Sequence, residues 1–344
     1  MVIDYLAGLF SSDLGMDLGT ANTIITCNGK IVVDEPSVVA LDKKNNKMIA
    51  VGNKAKMMYE KTHENIRTCR PLRDGVIADF YACEQMMRGL IKMVKTGHHL
   101  FTPSLRMVIG VPSGSTEVEL RAVRDSAEHS GGRDVYLIFE PMAAAIGCGI
   151  DVEAPEGQMI VDIGGGSTEI AVISLGGIVT NNSIRVAGDE LTADIQEYMS
   201  RQHNVKISER MAERIKIHVG SALTDLGDSA PEDFVVYGPN RITALPMEIA
   251  VCYQEIAHCI DKTIAKIETA VLQALENTPP ELYADIVKNG IWLTGGGALL
   301  RGLDKRLTDK IQIPFHIDDD PLRSVAKGTG IALKNVNNYQ FLMR

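Results

Sequence analysis

Apolar runs broken by glycine clusters organise this chain. In residues 159–173, MIVDIGGGSTEIAVI, a strand-like run ends at Asp162, three glycines follow, and a second strand-like run leaves. Residues 16–25, MDLGTANTII, place Asp17, Gly19, Thr20 and Thr23 in the same order. The first copy continues into a hairpin, with residues 23–27 and 30–33 flanking Asn28-Gly29. The second has strands 169–173 and 178 onward around a turn at Gly176-Gly177. Two such units predict a duplicated fold whose lobes face one nucleotide.

Elsewhere the pattern predicts alternating helices and strands. Residues 34–66 form an excursion, and Met86, Met87, Leu90, Ile91 and Val94 mark a helix that Gly97 would stop. Residues 105–111 predict a strand, and Thr116 with Glu119 a capping box opening a helix closed by Gly131-Gly132. Residues 134–139 are a strand, and Pro141 suits the first turn of the next helix. Residues 183–245 form a second, mostly helical excursion ending in a hairpin around Gly238-Pro239-Asn240. Ile249, Cys252, Ile256, Ile260, Ile264, Ile267 and Val271 then mark a long amphipathic helix. A third strand and glycine turn, residues 290–300, carries Trp292 as a core residue, with a strand at 314–318 and a terminal helix at 321–334.

Two apolar features have a membrane reading and a packing reading. Val2, Ile3, Leu6, Leu9 and Phe10 fall at helical spacing, and Leu100-Phe101 sits in a loop before Pro103. Each can insert into a bilayer or pack against the domain. His98 and His99 lack partners at metal-ligand spacing and read as solvated.

Composition narrows the class. A length of 344 residues suffices for two cores, and 45% hydrophobic with 23% charged content suits a globular protein. A net charge of −9 argues against nucleic acid as a partner. No run approaches the roughly 20 apolar residues of a membrane span, and no signal-peptide pattern opens the chain. The six cysteines form no Cys-x-x-Cys pair, and Cys252 and Cys259 read as buried thiols. A cytoplasmic protein is expected.

The chemistry points to phosphate. Glycines at 164–166 admit a tight turn and close backbone N–H approach, and an aspartate ending a buried strand needs a cation or a donor. The chain has no P-loop, no complete Gly-x-Gly-x-x-Gly, no His-Glu-x-x-His and no Gly-x-Ser-x-Gly. Neither loop holds lysine or arginine, so backbone N–H groups, hydroxyls and a metal must meet the phosphate charge. Asp17 and Asp162 are the candidate Mg²⁺ carboxylates, and the expected reaction is attack by water on a γ-phosphate. Glu140 reads equally as a helix-end charge or as a group orienting water. Glu213 and Lys216 read by spacing as a surface ion pair.

These residues carry a resemblance. DLGTANT (17–23), DIGGGST (162–168) and LTGGGA (293–298) resemble the phosphate-1, phosphate-2 and adenosine motifs of the actin-like ATPase superfamily. EPSVV (35–39), DGVIADF (74–80), EPMAAAIG (140–147) and ERIK (213–216) are similar to MreB, the bacterial cell-shape actin homologues, and the likeness spans residues 13–333. It implies an α/β, duplicated actin-like (ribonuclease H-like) fold of two lobes with nucleotide in the interlobe cleft. The implied partition is 1–33, 67–147 and 321–344 (IA), 34–66 (IB), 148–182 and 246–320 (IIA), and 183–245 (IIB).

By the resemblance, Gly19, Thr20, Ala21 and Asn22, with Gly164, Gly165, Gly166 and Ser167, hold the β- and γ-phosphates of ATP. Asp17 and Asp162 hold Mg²⁺ largely through water, and Glu140 orients the attacking water. Ser167, where the family usually has threonine, keeps a catalytic hydroxyl. Glu213 and Lys216 contact ribose and adenine, Gly295, Gly296, Gly297 and Ala298 pass under the nucleotide, and Gly328 and Gly330 lie in a hinge. The implied function is a slow ATPase that polymerises head to tail into paired filaments on the inner plasma-membrane face and guides wall synthesis. Its partners would be further copies of itself, the membrane and cell-elongation wall-synthesis proteins. The alternatives are a monomeric actin-fold ATPase or phosphotransferase, and an ATP-sensing membrane adaptor.

Overall fold

The computed structural model describes residues 11–59, 61–94 and 104–344. The apolar segment 2–10, Gly97, the histidines 98 and 99, and Leu100-Phe101 lie outside the described residues. Two lobes repeat one plan.

Lobe I opens with β1 (Ser11–Leu18), β2 (Asn22–Cys27) and β3 (Lys30–Pro36). Asn28 and Gly29 both take positive φ, which gives the type I′ turn that matches strand twist. A small three-stranded sheet follows: β4 (Val39–Asp42), β5 (Met48–Val51), helix α1 (Asn53–Met58) and β6 (Ile66–Cys69), in the order β5-β4-β6. A tight hairpin, β7 (Leu72–Arg73) and β8 (Val76–Ile77), leads to α2 (Phe80–Ile91), capped by the Asp79 side chain. Then come β9 (Ser104–Val111), α3 (Glu117–His129), β10 (Gly132–Phe139) and α4 (Glu140–Gly147). The Thr116–Glu119 capping box is formed, and Pro141 lies in the first turn of α4. The main sheet runs β10-β9-β1-β2-β3.

Lobe II repeats this with β11 (Gln158–Ile163), β12 (Thr168–Ser174) and β13 (Gly177–Ile184), followed by α5 (Gly188–Gln202) and α6 (Glu209–Val219). The hairpin β14 (Phe234–Pro239) and β15 (Pro246–Val251) precedes α7 (Tyr253–Glu276) and α8 (Pro280–Asn289). Strand β16 (Ile291–Thr294), a single turn at Gly296–Leu299, α9 (Leu303–Ile311) and β17 (Phe315–Ile317) complete it, and α10 (Ser324–Lys334) returns to pack on α4 and on β1, β2 and β9 of lobe I. The sheet order β13-β12-β11-β16-β17 reproduces that of lobe I strand for strand.

Each lobe has its own core, and a third cluster forms the seam. Met142 to Ile146 on α4 and Val325, Ala332 and Leu333 on α10 fill the space between Val108 and Ile138 of lobe I and Ile160 and Ala171 of lobe II. A Cβ on Gly328 would overlap the Ala143 carbonyl, and one on Gly147 would overlap that of Ser324. Only glycine allows α4 and α10 to approach this closely.

Some local expectations need correction. Ile249 lies in β15 and Cys252 is the N-cap of α7, so the helix begins later than the apolar spacing predicted. The Glu255 carboxylate accepts from the Cys252 N–H at 2.9 Å and fixes that start. Gly238 and Pro239 pair with Met247 and Pro246 inside the β14–β15 hairpin, and the reversal falls at residues 240–245. There the Asn240 side chain accepts from the N–H groups of Ile242 and Thr243 at 2.8 and 2.9 Å, an Asx turn. Leu175 and Gly176 carry the positive φ of the second hairpin turn, one residue earlier than expected. Trp292 is half-buried: it packs against the seam cluster and, beside His316, lines a hollow of about 370 Å³, and Cys252 and Cys259 are half-buried, unpaired thiols.

Candidate active site

The two sheets end in loops that meet. In each lobe the first antiparallel pair closes in the same register: Leu18 faces Thr23, and Ile163 faces Thr168. Gly165 packs so closely that a Cβ there would lie 2.9 Å from that of Ala21. The turn between β7 and β8 wedges beside them. The Gly75 N–H donates to Thr20 Oγ1 at 3.0 Å, and a Cβ on Gly166 would lie 2.8 Å from the Asp74 nitrogen. Asn22 opens β2, and Gly164 N–H closes the second loop onto the Ser167 carbonyl at 2.9 Å. Ser167 is buried, with its Oγ facing Gly75.

The strand ladders set four residues side by side in each lobe. Across lobe I they are Gly110, Asp17, Ile24 and Asp34, and across lobe II Thr294, Asp162, Glu169 and Ser183. Asp17 titrates at about 8, pushed up by burial, then by the charges of Asp162 and Asp34. Asp162 is pushed to about 6: burial and the Glu169 charge raise it, while the Thr294 hydroxyl, donating at 3.1 Å, lowers it. Gly110 offers Asp17 no comparable side chain, and the Asp162 and Asp34 charges add to its burial, so Asp17 stands higher.

Glu140 begins α4 beside Gly110, where the missing side chain leaves room for it. Its carboxyl is held well above the ordinary range by burial, then by Glu169, Asp17 and Asp162. The structure thus brings Glu140 to the loops' aspartates.

Glu169, absent from the sequence candidates, is only 1% exposed. It accepts from the Ser113 N–H at 3.0 Å and the Ser113 hydroxyl, both of lobe I, and from the Ser183 hydroxyl at 2.8 Å. Aligning the two copies would have exposed it, because Glu169 occupies the register position that Ile24 holds in lobe I.

Glu213 and Lys216 form an ion pair at 2.7 Å, but not a free surface one. Glu213 accepts from Thr192 at 2.6 Å, and Lys216 donates to the Gly188 carbonyl at 2.8 Å, beside the second loop. Burial opposes the Glu213 charge, yet Lys216 and the hydrogen bonds prevail and leave its pKa lowered. Gly295 and Gly297 pack on the end of β11, where a Cβ on either would overlap Ile163. Gly296 is exposed, and Ala298 is buried beneath the turn.

Among the described residues, no three His, Cys, Asp or Glu side chains form a direct metal cage. The donor set still fits a hard cation that keeps its waters. Two carboxylates whose protons are held up by burial and by neighbouring carboxylates carry negative potential that a divalent ion would relieve.

A family model described as MreB/Mbl protein matches residues 11–341. The cell shape-determining protein Mbl of Bacillus subtilis (strain 168) is 45% identical over 330 residues, covering 96% of this chain and 98% of the relative. The cell shape-determining protein MreB of Escherichia coli (strain K12) is 46% identical over 335 residues, covering 96% and 95%. The crystal structure of MreB 5 of Spiroplasma citri bound to AMPPNP superposes with a TM-score of 0.88 at 37% identity, covering 95% of this chain and 97% of that one.

Proposed function

The chain belongs to the MreB/Mbl family of bacterial actin homologues, and from that premise we propose that it is a filament-forming ATPase of cell-shape control. It binds ATP with Mg²⁺ between its lobes, hydrolyses it slowly, and assembles head to tail into paired protofilaments. These lie on the inner face of the plasma membrane and direct cell-elongation wall-synthesis proteins. Among the described residues no helix is long and apolar enough to cross a membrane. Contact with the bilayer is assigned to the apolar segment 2–10 and to Leu100-Phe101. The four-part partition IA, IB, IIA and IIB belongs to the same proposal.

The observation that carries the reading is the meeting of two glycine loops, each preceded by an aspartate with raised pKa, under Glu140. Backbone N–H groups of residues 19–22 and 164–167 hold the β- and γ-phosphates. Asp17 and Asp162 hold Mg²⁺, which supplies neutralisation of phosphate charge. Glu140 orients the attacking water, and a raised pKa makes its ionised form a stronger base than an ordinary carboxylate. The Ser167 hydroxyl fixes the γ-phosphate end of the loop. Glu213 and Lys216, already locked to α5, meet ribose and adenine above the Gly295–Gly297 turn. Binding of AMPPNP by the Spiroplasma citri relative supports this placement.

Glu140→Ala is expected to retain nucleotide binding while single-turnover phosphate release slows by about 10²–10⁴-fold. Unchanged release would remove Glu140 from the mechanism.

A further inference from the structure

Neither phosphate loop contains a cationic side chain, yet a guanidinium stands against the first of them. Arg70, the residue after β6, carries a side chain only 18% exposed. Its Nη2 donates to the Thr20 carbonyl of the first loop at 3.4 Å and to the Asp189 carboxylate of lobe II at 2.6 Å. Nη1 donates to the Glu209 carboxylate at 2.7 Å. The three acceptors come from a lobe I loop and the first turns of α5 and α6.

Each acceptor is tied to a part of the cleft. The Asp189 N–H donates to the Gly165 carbonyl at 2.7 Å, so one residue links Arg70 to the second phosphate loop. Glu209 lies one turn before Glu213 on α6, and Glu213 pairs with Lys216, which returns to α5 at the Gly188 carbonyl. The contacts close a ring: Arg70, Asp189, Gly188, Lys216, Glu213, Glu209 and back to Arg70. A planar fork with several fixed donors satisfies two carboxylates and a carbonyl together, which a lysine ammonium on a flexible stem cannot hold in one geometry.

We propose that Arg70 is a positioning residue that ties both phosphate loops to the helix carrying Glu213 and Lys216, and so sets how long the cleft retains nucleotide. This inference rests on the nucleotide reading above. Loss of Arg70 frees the first loop from lobe II, leaves Asp189 and Glu209 as unpaired neighbours, and lets the lobes part more often. Retention rather than the chemical step should change first.

The test combines two measurements on the full chain. Stopped-flow dissociation of a fluorescent ATP analogue with Mg²⁺ is compared for wild type, R70A, R70K and E209Q. Hydrogen exchange is followed without nucleotide in segments 19–23, 164–168 and 188–192. We expect R70A to release nucleotide at least tenfold faster and to raise exchange in all three segments, with R70K intermediate and E209Q smaller but in the same direction. Wild-type dissociation in R70A and R70K, with unchanged exchange, overturns the proposal. So does faster release in R70A with exchange unchanged in all three segments. Should R70A fail to fold, R70K and E209Q decide by the same criteria. A wild-type chain that binds no nucleotide overturns the functional reading instead, while the exchange comparison still decides whether Arg70 couples the loops.

Discussion

The two glycine loops share a backbone plan but not a charge plan. β1–β2–β3 and β11–β12–β13 have equivalent register at the loop, each with a shift two residues before its hairpin turn. Those shifts leave Val32 and Val179 unpaired and exposed at the same place in each lobe. Beside the aspartate, however, lobe I puts Ile24 and lobe II puts Glu169. On its other side Asp17 meets Gly110, which makes room for Glu140, whereas Asp162 meets the Thr294 hydroxyl. Duplication preserved what the main chain needs to turn, and the side chains facing the cleft diverged into separate tasks.

The largest effect should come from forcing the first row to copy the second. Ile24 is 3% exposed, and Ile24→Glu would bury a carboxylate without the donors that Ser113 and Ser183 give Glu169. We expect a loss of about 3–5 kcal/mol in chemical denaturation. A loss below about 1 kcal/mol would show that lobe I can accommodate the charge as lobe II does.

Asp17→Asn and Asp162→Asn sharpen the comparison through pH. Because both folded pKa values are raised, the native state keeps protons that the unfolded chain releases. Stability is therefore full below the ordinary carboxylate pKa and falls as pH climbs, from 3.8 to about 8 for Asp17 and from 3.8 to about 6 for Asp162. Without Mg²⁺ and nucleotide, Asp17→Asn should raise stability at pH 8 by up to about 5 kcal/mol, and Asp162→Asn by up to about 3 kcal/mol. Both should lose Mg²⁺-dependent nucleotide binding in a titration. Equal gains would mean that Thr294 does not separate the two carboxylates.

The smallest effect lies in the turns. Asn28 and Leu175 both adopt left-handed φ, but asparagine tolerates it and a γ-branched apolar residue does not. Leu175 is 73% exposed, so Leu175→Asn loses little packing and should stabilise by about 1 kcal/mol. No rise in the thermal midpoint would show that the turn context offsets the strain.

Much of the site was legible because its signals are local. A strand ending in Asp, then glycines, then a strand can be read within ten residues, and so can the Thr116–Glu119 capping box and Pro141 at a helix start. Helical spacing over Ile249 and Cys252 misled because one apolar spacing suits both a strand end and a helix start. Arg70 and Glu169 were missed for another reason. Arg70 meets partners 119 and 139 residues away, and Glu169 meets Ser113 at a separation of 56. No pattern along the chain marks the partners of Arg70, and Glu169 stands out only when the two copies are set in register.

The sequence by itself determined the duplicated strand–loop–strand units and the family, since each depends on residue types at short fixed spacing. Only the tertiary structure decided which charges share the cleft floor, why Asp17 and Asp162 titrate apart, and where Arg70 closes its ring. Those properties depend on burial and on distances across strands and lobes, and burial and distance exist only once the two sheets have packed around α4 and α10.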